Sequence, residues 1–395
     1  KVLGPHPSSY RALPQLAFNN RAPYQYGAFD LNWFGEVSHF ASSDADISRA
    51  NRFHFEPSVS LNYVSPALSL SSELSLLQTN YDQTYQDTSQ TRDNSLSRTL
   101  PKFRFHSLVN FERPSDWLGK DGLLTFEPQM QYLYIPEKNQ DQIGLFDSTR
   151  LQDDYYGLFR DNRFSGLDRI ADANQITVGA TTRFFDQKNN EIFHLSLGQI
   201  FYFDKIRTLF TPNDSRINGS KSELAGDIFM RWSKRWDLNA NVQYDDDTEK
   251  LTKSNVSLNY RGDNFTQAQL NHRYTRSVSG SKIEQVGFMT SIEIAKNWQF
   301  VGGYHRDLTN HRSIDSYAGI QYESCCWAIR LVSTRNINTN LEQLTQTTSG
   351  FPSSFDSGIA LQFVIKGING SGGFDIGDML EQGAFGKRRR YFLNN

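Results

Sequence analysis

The sequence has little of several things that usually point to function. It holds only two cysteines in 395 residues, and they are adjacent, Cys325 and Cys326. No zinc site and no multi-disulfide scaffold can be built from one such pair. No stretch approaches 18 uninterrupted apolar residues, which excludes a transmembrane helix. Neither charge sign dominates, with 41 basic against 43 acidic side chains, so no basic surface for nucleic acid is expected. The eight histidines show no HExxH-type spacing, and no Gly-x-Ser-x-Gly elbow or phosphate loop appears. Nothing argues for catalysis, and no metal or cofactor is implied. The first residues, Lys1-Val2-Leu3-Gly4-Pro5, have no apolar signal core. The reading is of a cleaved signal or a piece of something longer.

What is present is aromatic and alternating. Phe, Tyr and Trp make up 13% of a chain that is only 37% hydrophobic. In 236–245, Leu238, Ala240, Val242 and Tyr244 alternate with Asp237, Asn239, Asn241 and Gln243. A strand sends successive side chains to opposite faces, so such a segment has one greasy and one wet face. Phe53, Phe55, Val59 and Leu61 alternate in the same way with His54, Glu56, Ser58 and Ser60. No helical period extends over 11 residues or more. The pattern predicts about seventeen strands, from 10–19 to 354–367, with ends uncertain by about 2–4 residues.

The connections alternate between short and long. Ser65-Pro66, 186–190 and 295–297 are short; 41–50, 81–99, 135–173, 205–221 and 336–353 are long. Consecutive antiparallel strands put alternate connections at opposite ends. Tight turns at one end and large loops at the other are the pattern of an antiparallel transmembrane β-barrel of the outer membrane. Trp232, Trp236, Trp298, Tyr322 and Trp327 near strand ends fit interfacial girdles. The alternatives are a soluble β-sandwich, for which the strands are long, or a propeller, for which no blade repeat is visible.

Several stretches carry a family resemblance. Tyr134-Ile135-Pro136-Glu137-Lys138-Asn139-Gln140 leads to Phe146-Asp147-Ser148. Then follow Gly157-Leu158-Phe159-Arg160-Asp161-Asn162-Arg163-Phe164-Ser165-Gly166-Leu167-Asp168-Arg169-Ile170 and Ala173-Asn174-Gln175. This closely resembles the central signature of the LptD family, lipopolysaccharide-assembly proteins of the outer membrane. Tyr10-Arg11-Ala12-Leu13-Pro14-Gln15-Leu16, Gly198-Gln199-Ile200-Phe201-Tyr202-Phe203 and Tyr322-Glu323-Ser324-Cys325-Cys326-Trp327-Ala328-Ile329-Arg330 agree as well.

The resemblance implies a C-terminal barrel portion over 1–367 and a tail over 368–395. Family members carry an N-terminal periplasmic jelly roll and a barrel of about 26 strands. This chain would be roughly the last seventeen, and incomplete by itself, since open sheet edges in lipid leave backbone groups unpaired. The implied function is a non-enzymatic translocon that inserts lipopolysaccharide into the outer leaflet through a barrel lumen and lateral gate. The implied partners are lipopolysaccharide, the plug lipoprotein LptE, the periplasmic LptA bridge and, during folding, the barrel-assembly machinery. The rival reading is a passive outer-membrane pore or a structural or adhesion barrel.

Candidate functional residues fall in three places. Vicinal cysteines rarely bond each other, because their Cα atoms are about 3.8 Å apart and disulfides prefer about 4.4–6.8 Å. Cys325 and Cys326 are therefore either bonded elsewhere or a pair of thiols; the resemblance implies disulfides to the N-terminal periplasmic region. The last strand, with Ile359, Leu361, Phe363 and Ile365, is the gate strand by resemblance and an ordinary closing strand otherwise. The connection 135–173 is too long to be idle. Its mixed charge predicts a folded lid with internal ion pairs, and an LptD-like reading has it seal the lumen. Arg160, Asn162, Arg163, Asp168 and Arg169 are its signature residues, the arginines being candidates for sugar and phosphate contact; the alternative is a solvated loop. Glu36, Glu56, Glu127, Gln129 and Gln131 are expected on the lumen side. Lys387-Arg388-Arg389-Arg390 reads as a solvated tail, and Asp245-Asp246-Asp247 as a polar loop tip.

Overall fold

The structure is a computed structural model that describes residues 11–20, 23–41, 49–84, 93–117, 119–210, 219–263, 266–278, 281–337 and 355–365. The chain divides into two compact units, residues 1–227 with 243–250, and residues 228–242 with 251–395. The tail Lys387–Arg390 lies outside the described residues.

The first unit holds β1 (Arg11–Asn19), β2 (Tyr24–Tyr26), β3 (Phe29–Ala41), β4 (Arg49–Val64), β5 (Leu68–Thr84), β6 (Ser95–Val109), β7 (Phe111–Trp117), β8 (Lys120–Ile135), β9 (Ala173–Asp186) and β10 (Glu191–Tyr202). β11 (Leu224–Met230) and β12 (Trp236–Asp245) span the division between the units. The second unit continues with β13 (Lys250–Arg261), β14 (Gln267–Val278), β15 (Ser281–Ala295), β16 (Trp298–Asp307), β17 (Arg312–Glu323), β18 (Trp327–Ile337) and β19 (Phe355–Ile365). Every pairing within the units is antiparallel, for example β3 with β4, β5 with β6 and β18 with β19.

Among the described residues, nineteen segments reduce to the seventeen strands read from alternation, because two strands are interrupted. β1 and β2 both pair with β3, at 34–41 and 29–31. Asn20 bridges the gap: its amide donates to the Leu31 carbonyl at 3.1 Å and accepts from the Trp33 N–H at 3.0 Å. β6 and β7 likewise pair with one strand, β8, at 129–134 and 120–126. The break faces Pro128, whose nitrogen has no hydrogen to give a ladder.

The two faces of the first unit invert the soluble pattern. Phe53 and Phe55 are 45% and 38% exposed, whereas Arg52 and His54, which alternate with them, are 1% and 0%. Leu31, Trp33, Val37, Val59, Leu61, Leu74, Leu76, Phe126, Met130 and Val178 are also exposed, while Glu36, Ser38, Ser60, Ser75, Thr79, Arg98, Lys102, Gln131 and Thr177 are buried. Apolar side chains stay out and charges go in when the outer solvent is lipid. An arginine placed outward at Leu76 is therefore expected to cost about 2–4 kcal/mol if that position sits near the bilayer midplane. Equilibrium unfolding of the full-length protein in lipid vesicles measures this; an unchanged midpoint would count against a lipid-facing Leu76.

In the second unit a row of rings crosses β16–β19. Trp298 lies 5.1 Å from Tyr322, Tyr322 5.2 Å from Trp327, and Trp327 6.1 Å from Phe363. Such rows sit at membrane–water interfaces. The alternation of loop lengths holds in the first unit, fades here where β14 and β15 are joined by 279–280 alone, and returns at the long connection 338–354 between β18 and β19.

Candidate functional site: a lid on a charged wall

The connection 136–172 has a short 3-10 turn at Tyr156–Phe159 and packs against the polar face of the first unit. It is a folded lid, and its strongest partners are strand residues that the sequence pattern did not single out.

The centre is Arg52 on β4, whose side chain is fully buried. Its guanidinium meets three carboxylates: Glu36 of β3 at 2.6 Å, and Asp147 and Asp168 of the lid at 2.5 and 2.8 Å. Its plane lies over the Phe40 ring, 4.8 Å from the centroid. Asp168 is saturated with donors. One oxygen accepts from Arg52 and from the Tyr81 hydroxyl at 3.1 Å. The other accepts the N–H groups of Phe146, Asp147 and Ser148 at 2.7, 2.8 and 3.3 Å. The Ser148 hydroxyl returns the contact, accepting the N–H groups of Asp168 and Arg169 at 3.0 and 3.3 Å. One carboxylate thus fixes both legs of the lid. Burial tends to raise the Asp147 carboxyl, but the bonded Arg52 guanidinium holds it below its ordinary value. Burial and the neighbouring Asp147 charge push the Asp168 carboxyl up.

A second cation, Arg98 of β6, reads the lid backbone. It donates to the carbonyls of Leu167 and Asp168 at 2.5 and 3.0 Å and to Gln140 Oε1 at 2.6 Å. Gln140 in turn exchanges hydrogen bonds with the backbone of Ile170, at 2.7 and 3.0 Å. A third group lies further along the wall. Lys102 of β6 meets Glu56 at 3.0 Å, Glu73 at 3.4 Å and the lid's Asp161 at 3.1 Å, and Arg104 meets Asp161 at 3.2 Å.

Apolar contacts hold the lid between these charges. Phe146 stacks on Phe40 at 5.2 Å, and Ile143 joins the same cluster. Ile170 packs with Leu77, Leu100, Leu133 and Ile135. Tyr155 and Leu158 pack with Ile200, Tyr202, Ile206 and Ala225. Their seat is tight at two glycines. Gly179 and Gly198 are direct partners on β9 and β10. A Cβ on Gly179 would stand 3.0 Å from the Phe159 ring, and one on Gly198 would stand 3.1 Å from Tyr155. The Tyr155 hydroxyl accepts from Gln129 at 2.8 Å and from Thr181 at 3.0 Å. The connection after β10 closes over the lid's second leg: Asp172 accepts the N–H groups of Arg207 and Thr208, and Phe164 stacks on Phe210 at 5.7 Å.

The signature residues divide accordingly. Asp168 sits at the centre, and Arg169 is buried beside it, donating to the Asp168 carbonyl at 3.2 Å. Asn162 braces the lid by donating to the Arg169 carbonyl at 3.0 Å and accepting the Ala171 N–H at 3.1 Å. Arg160 and Arg163 form the internal ion pairs expected from the mixed charge, with Asp154 and Asp153, both at 3.3 Å. Glu36, Glu56, Glu127 and Gln129 are on the polar face as expected, and each is bonded to the chain's own groups, Glu127 to Arg183 at 3.2 Å. Asp246 and Asp247 pair with Lys221 at 2.6 and 3.1 Å, so this tip is a docked turn.

The other two sites lie in the second unit. Cys325 and Cys326 occupy the turn between β17 and β18, both exposed, with sulfurs 2.8 Å apart. β19 pairs with β18 from Phe355 to Ile365. Its Ile359, Leu361 and Phe363 are 77%, 67% and 58% exposed, well above the roughly 45% of Leu331 beside them. The Ile365 backbone continues the ladder opposite Trp327.

An antiparallel sheet with an apolar outer face, a charged inner face and a lid folded on that inner face defines the class of integral outer-membrane β-barrel proteins. The comparisons narrow it. A family model described as LPS transport system D, LptD, matches residues 4–298. The chain is 48% identical over 399 residues to a protein of Pseudoalteromonas translucida, 40% over 401 to one of Shewanella denitrificans and 39% over 398 to one of Pseudoalteromonas atlantica, each named LPS-assembly protein LptD. All of this chain is covered in each case, against 52%, 52% and 50% of the relatives. The chain belongs to the LptD family. It spans about half the length of the curated relatives it matches. Among solved structures, the siderophore receptor PirA of Acinetobacter baumannii aligns loosely, with TM-score 0.35 and 8% identity over 89% of this chain and 70% of its own.

Proposed function

We propose that this chain is the C-terminal barrel portion of a protein that assembles lipopolysaccharide in the outer membrane, a transport role rather than catalysis. The observation that carries the reading is identity of 48% across the whole chain to a protein named for that role. In the finer reading, lipopolysaccharide passes through a lumen and leaves at a lateral gate along β19. LptE is the plug, LptA delivers the substrate across the periplasm, and the barrel-assembly machinery folds the protein. Cys325 and Cys326 bond to cysteines of the periplasmic region; their exposure leaves them accessible to such partners.

The test is a photocrosslinking scan of positions 359–365 in the full-length protein in cells. Lipopolysaccharide adducts are expected at Ile359, Leu361 and Phe363 and not at Leu258. A correctly inserted protein that yields no adducts along β19 would remove the gate.

A further inference from the structure

The wall beneath the lid carries more cationic donors than the lid and the strands satisfy. Arg52, Arg98, Lys102 and Arg104 stand on β4 and β6, on the polar face of the first unit. Glu36, Glu56 and Glu73 on the strands answer part of this charge. Asp147, Asp161 and Asp168, all on the lid, add three more carboxylates. Even so, the Nε atoms of Arg52, Arg98 and Arg104 are buried without a hydrogen-bond acceptor among the described residues. A buried donor left unbonded is costly, and strands built only to hold this lid gain nothing from it. Three guanidinium groups and an ammonium in one patch are the donors that recognise phosphate, whose oxygens accept paired bonds from arginine.

We propose that this wall is an anion site for a phosphorylated saccharide, and that the lid carboxylates Asp147, Asp161 and Asp168 occupy it as stand-ins until the substrate displaces them. The inference rests on the lipopolysaccharide-assembly reading and adds a route for it. A phosphate entering at Arg104 and Lys102 competes first with Asp161, which is a quarter exposed. Passage to Arg98 and Arg52 then strips the lid of its central anchor. The lid thereby opens in response to charge on the cargo, and an uncharged solute meets it closed.

The experiment uses the full-length protein with its partners in lipid nanodiscs. Tryptic cleavage at Arg150 and Arg163 reports lid opening while purified lipopolysaccharide is titrated in at fixed ionic strength. The same lipopolysaccharide stripped of phosphate, and inorganic phosphate alone, are the comparison arms. Intact lipopolysaccharide is expected to open the lid, and the two comparison arms to leave it closed. Arg104→Gln is expected to raise the half-saturating concentration severalfold, and Asp161→Asn to lower it severalfold. A purely structural ion pair would shift both variants the same way, so opposite shifts decide the matter even if one variant inserts poorly. Equal opening by the dephosphorylated form, or shifts of one sign, would overturn the proposal. Opening by inorganic phosphate alone would overturn its saccharide part. A photoreactive residue at Leu361 in the same nanodiscs separates the failures: adducts at Leu361 with no phosphate-dependent opening leave the assembly reading standing, and no adducts with a closed lid count against both.

Discussion

Replacing Arg52 by alanine is expected to release the lid. The guanidinium is the common partner of Glu36, Asp147 and Asp168, and among the described residues no other cation reaches all three. Its removal leaves the buried Glu36 and Asp168 and the partly exposed Asp147 around an empty space, and breaking a buried pair by deleting one partner typically costs about 3–5 kcal/mol. Since about 1.4 kcal/mol is a factor of ten, the open fraction of the lid should rise roughly 10²–10⁴-fold. Cleavage at Arg150 and Arg169 by trypsin added to intact cells reads this directly. Arg52→Lys should fall between, because an ammonium keeps the charge but lacks the planar fork that spans Asp147 and Asp168. Cleavage no faster in Arg52→Ala than in the native protein would show that the lid is held without this cluster.

Gly198→Leu is expected to lift a different part of the lid by a different force. The position is tight: an added Cβ meets the Tyr155 ring and the Val178 carbonyl at 3.1 Å and Leu158 at 3.2 Å, and the branched end of leucine has to enter the same space. Overfilling a packed site costs typically about 1–3 kcal/mol, and here the softest response is for the turn at 156–159 to rise from its seat. Cleavage at Arg160 should increase roughly tenfold or more, and cleavage at Arg150 by less, because the Arg52 anchor is intact. Gly358→Ala is the contrasting change, since a Cβ there meets only Thr334 Oγ1 at 3.9 Å, and it should leave cleavage unchanged. Equal cleavage of Gly198→Leu and native protein would show that the turn is not seated on the Gly179–Gly198 pair.

The strands were legible because lipid makes alternation strict. Phe53, His54, Phe55 and Glu56 could be assigned to faces from sequence alone, and each is on its expected face. The two interruptions were not, because they depend on single residues in pairing context: Pro128 is unremarkable until it stands opposite the break between β6 and β7, and Asn20 until β1 and β2 meet β3. The lid's existence followed from its length and mixed charge, and Asp168 was among the candidates. Its partners were missed. The available signal was position: Arg52, Arg98, Lys102 and Arg104 all fall on the wet phase of alternating strands, far from the lid in sequence, where a charge is as easily a solvated lining residue as an anchor. The seat at Gly179 and Gly198 was invisible for the opposite reason, since a glycine in a strand more often marks a weak point than a socket.

The central claim is that residues 136–172 are docked on the charged wall through Asp168. The amide hydrogens of Phe146, Asp147 and Ser148, which Asp168 accepts, are its most direct reporters. Hydrogen exchange of the full-length native protein in nanodiscs should find these three amides slow, near the rates of the β8 and β9 ladders, and should find them fast in Asp168→Ala. Native amides that exchange at the rate of an open loop would contradict the account.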